Sequence, residues 1–181
     1  MAKHSYEAWC GKKVFEGGMG NVAVCRQKEF GETMAAVFLV DVYCLGVKNC
    51  FLCRFMRSEK REMLDKIFAI EGRTEMSPAC AKKLVLDAVA YARSLGLEPH
   101  PDYARAARLL NPIDATQCQT VFTFGDDGKP FYIQGPHDSR AFVRHVVATL
   151  HRRLGEGNCH YMLTADMGDI LEALPRRAPR P

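Results

Sequence analysis

The longest apolar run of the chain, VFLVDVYCLGV from Val37 to Val47, most constrains the fold, because one carboxylate, Asp41, stands in its interior. A run this rich in β-branched and aromatic residues reads as a strand buried on both faces. On such a strand Asp41 shares a side with Val37, Leu39, Tyr43 and Leu45. An unpartnered carboxylate there is so costly that the fold must supply company: Lys48, Arg54, a backbone N–H, a helix end or a metal ion. The expectation carried forward is an ordinary protein partner. The alternative is that Asp41 is a catalytic metal ligand.

The flanks of this run set the architecture. VAVCRQ (Val22 to Gln27) alternates, KEFGET interrupts it, and CFLCRFM (Cys50 to Met56) follows the apolar run, a pattern that predicts an antiparallel meander. Helical spacing then takes over. Ser58 is a candidate cap for a helix carrying Met63, Leu64, Ile67 and Phe68, and Gly72 stops it. Ser77, Pro78 and Gly96 bracket a longer helix in which Leu84, Ala88, Tyr91 and Leu95 recur at three- and four-residue steps. A short helix fits between Pro101 and Pro112. QTVFTF, GDDGK and PFYIQG predict a second hairpin, with a turn suited to positive φ. Asp138 or Ser139 caps a final helix ending at Leu154 and Gly155, and CHYMLT supplies a last short strand.

Strands, helices, hairpin, helix and strand in that order predict an α+β fold, a mainly antiparallel sheet packed against amphipathic helices. One domain over residues 1–170 and a flexible Pro/Arg-rich tail over residues 171–181 are expected. A chain of 181 residues that is 48% hydrophobic can bury its own core, which excludes a disordered chain. It has no uninterrupted apolar stretch of about 18 residues and no apolar run behind its first basic residue. Neither a membrane span nor a signal peptide is therefore expected, and the expected location is the cytoplasm.

In that setting the eight cysteines read as reduced thiols. Cys50 and Cys53 form a C-x-x-C, but on a strand, positions three apart face opposite sides, so core thiols are expected rather than zinc ligands. GGMGNVA offers glycine spacing in the wrong context, ahead of a strand instead of opening a helix. Phosphate-loop, G-x-S-x-G and H-E-x-x-H patterns are absent, and the sequence identifies no cofactor.

The final helix separates into two faces, one apolar and one carrying Arg140, Arg144, His145, His151 and Arg152. The tail adds Arg176, Arg177 and Arg180. The leading expectation is a non-catalytic binding or accessory domain. It would contact nucleic acid or an acidic protein partner through Arg140, Arg144, His151, Arg152, Arg176 and Arg177. One rival is a metal-dependent phosphodiester hydrolase, with Asp41 as a metal ligand and Lys48 or His137 nearby. Another is a subunit of a larger complex with no chemistry of its own. Beside Asp138 and ahead of a helix, His137 reads as part of a cap.

Overall fold

The computed structural model describes residues 5–174. In chain order these form β1 (Tyr6–Gly11), α1 (Lys13–Glu16), β2 (Met19–Gln27), β3 (Glu32–Asp41), β4 (Gly46–Met56), α2 (Lys60–Ile67), β5 (Arg73–Met76), α3 (Pro78–Ser94), α4 (Tyr103–Ala107), β6 (Phe131–Ile133), α5 (Arg140–Leu154), β7 (His160–Met162) and α6 (Gly168–Glu172). The fold is α+β. Five antiparallel strands lie in the order β4-β3-β2-β1-β5, and a separate parallel pair joins β6 to β7 through α5. The expected meander is β2-β3-β4. β1 and β5, which show no clear alternation in the sequence, extend it on the far side.

The pleat divides the side chains between two cores. Ala8, Val22, Val24, Ala36 and Phe38 point toward α3 and α4, while Trp9, Ala23, Cys25, Ala35 and Val37 point toward α2. Cys50 and Cys53 fall on opposite faces, as their spacing requires. A third cluster gathers the end of α3, the apolar side of α5, Tyr132 and the residues just beyond Asp41. The caps of the two long helices are the expected ones: the Ser77 hydroxyl accepts from the Cys80 amide and the Ser139 hydroxyl from the Phe142 amide. Ahead of α2, Ser58 makes no capping bond. A 3-10 turn leads in instead, and the Glu59 carboxylate accepts the Met56 amide.

Three expectations change. The apolar run is not one strand: β3 stops at Asp41, residues 42–45 form a tight turn, and β4 starts at Gly46, with Asp41 and Gly46 facing each other across the ladder. The second hairpin shrinks to a turn closed by a single bridge between Asp126 and Lys129. Residues 119–124 make no strand because their aromatic rings stack on other elements, Phe122 on Phe15 and Phe124 on Tyr91, while β6 pairs with β7. The cysteines are not uniformly reduced either. A disulfide joins Cys80, in the first turn of α3, to Cys118, and the remaining six are free thiols. Near the C-terminus Ile170 of α6 and Leu174 pack on the third cluster.

The turn after Asp41 is buried, contrary to the usual surface position of loops, so its backbone polar groups must find protein partners. Val42 N–H donates to Gly18 O, Gly125 N–H to Val42 O, and Phe131 N–H to Tyr43 O. Gly46 closes the turn at φ +69°, where a Cβ would lie 2.6 Å from the Ala88 carbonyl oxygen. Gly46→Ala is expected to cost about 2 kcal/mol, the sum of left-handed strain and displacement of α3, read as a fall in the urea midpoint at unchanged slope.

Candidate functional site

Asp41 is buried, with 5% of its surface exposed, and Oδ1 accepts the amides of Tyr43 and Cys44, each at 2.9 Å. Burial pushes its carboxyl up to about 6, opposed by the amides of Cys44, Leu45 and Tyr43 and by the Lys48 ammonium. The company required by the sequence is thus the backbone of the turn that Asp41 itself organises. Among the described residues no three His, Cys, Asp or Glu side chains are placed to hold a metal ion. Lys48 turns to Asp138 at 2.8 Å, and the exposed His137 precedes that acid.

The basic helix is partly engaged within the molecule. Arg140 is tied to the Asp169 carboxylate and donates to the Asp166 carbonyl, both from the segment around α6, and Arg153 donates to Ser94 O. Arg144, His145 and Arg152 are exposed, and His151 lines a shallow cavity beside Cys159 and Tyr161. The acid that captures Arg140 lies almost thirty residues downstream, so the stripe looks free of acids only when α5 is read alone. Arg176 and Arg177 lie outside the described residues, as does Arg180.

A denser cationic surface lies at the opposite end of the sheet. In the ladder Tyr6 faces Arg26, Arg26 faces Met34, and Met34 faces Arg54, so these four form one cross-strand row on the α4 side. Arg105 and Arg108, three apart on α4 and the turn after it, share one helix face and close the same space. The result is an open groove of about 360 Å³ lined by Arg26, Arg54, Arg105 and Arg108 over a floor of Met34, Leu52 and Leu109. A smaller hollow shares Leu52 and Arg105 with the groove, is lined also by Asp102 and Ala106, and continues to the half-exposed ring of Phe51.

Internal acids compensate this charge poorly. Arg54 reaches Glu32 only at 4.0 Å and its side chain remains 66% exposed. Arg105 and Arg108 make no ion pair with an acid among the described residues. Arg26 Nε and the Tyr6 hydroxyl are buried without hydrogen-bond partners among the described residues. Buried donors without acceptors are costly, and a guanidinium presents a planar fork matched to phosphate or carboxylate oxygens.

The sequence alone does not reveal this site, because each arginine looks ordinary by itself. One signal was present: Arg26 ends the apolar positions Val22 and Val24, and Arg54 ends Cys50 and Leu52, so both break the face destined for the core. Their convergence needs the strand register. The site on α5 and this groove are distinct surfaces, since Met34 and the turn packed on α5 are separated by most of β3, roughly 20 Å. Among the described residues no helix is long and apolar enough to cross a membrane. No family model matches the chain, and no curated protein or solved structure matches it.

Proposed function

We propose that this is a non-catalytic binding domain that holds single-stranded nucleic acid in the arginine groove. The observation that carries the reading is the convergence of Arg26, Arg54, Arg105 and Arg108 on one open, apolar-floored channel with little internal compensation. The guanidiniums would track phosphates, while Phe51 and the floor offer bases a sequence-tolerant surface. The role first read onto α5 passes to β2, β4 and α4, leaving Arg144 and Arg152 peripheral.

Fluorescence anisotropy with a labelled mixed-sequence DNA strand tests this. Four phosphate contacts give a log–log salt slope of about −3, a roughly 50-fold loss of affinity between about 50 and 200 mM salt. Arg54→Gln with Arg105→Gln is expected to halve that slope, and Phe51→Ala to weaken binding about tenfold with the slope unchanged. Arg144→Gln with Arg152→Gln is expected to leave both nearly intact. If the α5 pair removes binding and the groove pair does not, the interface has been misplaced. The second reading, an acidic protein segment, draws on β4 being a sheet edge beside the same arginines. Binding of polyglutamate without binding of DNA would favour it.

A further inference from the structure

A second cavity, of about 190 Å³, lies between the start of β4, the loop after α3 and the first turns of α5. Its walls are mainly apolar, with Leu97 and Val146 buried at the back and Phe142 at the rim. Its polar side chains are Lys48, His100, His145 and Glu98, three groups able to donate a hydrogen bond and one acid. Lys48 Nζ, on a side chain only 14% exposed, gives one proton to Asp138 Oδ2 at 2.8 Å. That oxygen also receives the Tyr132 hydroxyl at 2.9 Å and the Gly135 amide at 2.8 Å, so it is saturated. An ammonium has three protons, which leaves Lys48 two to offer. The His100 Nδ1 atom faces the Asp102 amide at 3.2 Å, with Cys50 Sγ and Asp102 Oδ2 each at 3.9 Å, and in the tautomer that accepts this amide the ring proton sits on Nε2. Glu98, the one acid of the lining, is held at 3.1 Å by Arg93.

Two properties select the ligand. Lys48 and Asp138 form a pair without net charge, so a full negative charge brought into this largely apolar space would go uncompensated, whereas an uncharged oxygen acceptor would satisfy the donors. The volume exceeds the roughly 150 Å³ of an apolar cavity known to admit benzene, so a single ring fits. The lysine is also given room: a Cβ on Gly135 would stand 2.5 Å from Lys48 Nζ. We propose that the cavity at Lys48 is a binding site for a small uncharged aromatic carbonyl compound, its oxygen received by Lys48 and His100 and its ring enclosed by Leu97, Phe142 and Val146.

Ligand-observed NMR titration of the full chain with benzamide, benzoate and toluene tests the proposal. Benzamide is expected to bind saturably, with benzoate and toluene each at least tenfold weaker. In Lys48→Met the advantage of benzamide over toluene should collapse while ring binding persists. If that variant does not fold, Val146→Phe, which fills the cavity from α5, should reduce benzamide affinity at least tenfold. Saturation absent for all three, benzoate binding as well as benzamide, or toluene matching benzamide in the unmodified protein would overturn the assignment.

Discussion

Reducing the disulfide between Cys80 and Cys118 is expected to lower the unfolding free energy by about 4 kcal/mol, the chain-entropy value for a link across 38 residues. The closed loop contains most of α3, α4 and the irregular segment after it, which packs back on α3. Lys82 Nζ donates to the carbonyls of Asn111 and Ile113, and Leu109, Leu110 and Ile113 are buried. These contacts hold the segment in the folded state but do not restrict the unfolded chain, so the cross-link is the term that reduction removes. A loss of this size moves the melting temperature by roughly 8–16 °C for a chain of this length. Dithiothreitol should shift the melt of the unmodified protein and leave that of a Cys80→Ser, Cys118→Ser variant in place. Thiol titration under non-reducing denaturing conditions should count six of the eight cysteines. A count of eight would remove the cross-link and this prediction with it.

That disulfide marks where reading the sequence stops. Neither Cys80, in PACAK, nor Cys118, in TQCQT, carries a local sign of its partner, and only the return of the chain after α4 brings their Cα atoms to 4.9 Å. Local chemistry was legible wherever it decides structure by itself: Ser77 and Ser139 cap because each hydroxyl reaches an amide three residues ahead, and Gly96 and Gly155 end helices by taking positive φ. Phe122 and Phe124 misled for the complementary reason. Alternating aromatics fit a strand, but rings that find Phe15 and Tyr91 to stack on need no ladder. The arginine groove shares the difficulty of the disulfide, since Arg26 and Arg54 become neighbours only through β3 lying between β2 and β4.

Asp41 was visible as an anomaly, and its resolution makes a measurable claim about pH. Its carboxyl stands at about 6 in the folded protein against an ordinary value of 3.8, because burial disfavours the charged form more than the turn amides and Lys48 favour it. The folded state therefore holds a proton on Asp41 that the unfolded chain has released between about pH 4 and 6. Stability from this group is fully present below pH 4 and is lost as pH rises through 6, by about 3 kcal/mol for a shift near two pH units. Glu7 and Asp138 act in the other direction, because Lys60 and Lys48 respectively help to hold their carboxyls below the usual range. Glu62 and Asp114, held low by Lys66 and Thr116, lie on the same side, so the whole-protein curve sums all five and the Asp41 part is isolated by subtraction. The variant Asp41→Asn serves for this without reproducing every contact, because its amide keeps an oxygen for the Tyr43 and Cys44 N–H groups and cannot ionise. The stability of that variant relative to the unmodified protein should rise by about 3 kcal/mol between pH 4 and pH 7.5, whatever its offset at pH 4. Asp41→Ala leaves two buried amides without an acceptor, at about 1–3 kcal/mol each, and should be the least stable of the three at pH 4. Urea melts across this range decide the matter. Parallel curves for the unmodified protein and Asp41→Asn would mean that the carboxyl ionises in the fold as freely as in water, and that the turn does not depend on a desolvated acid.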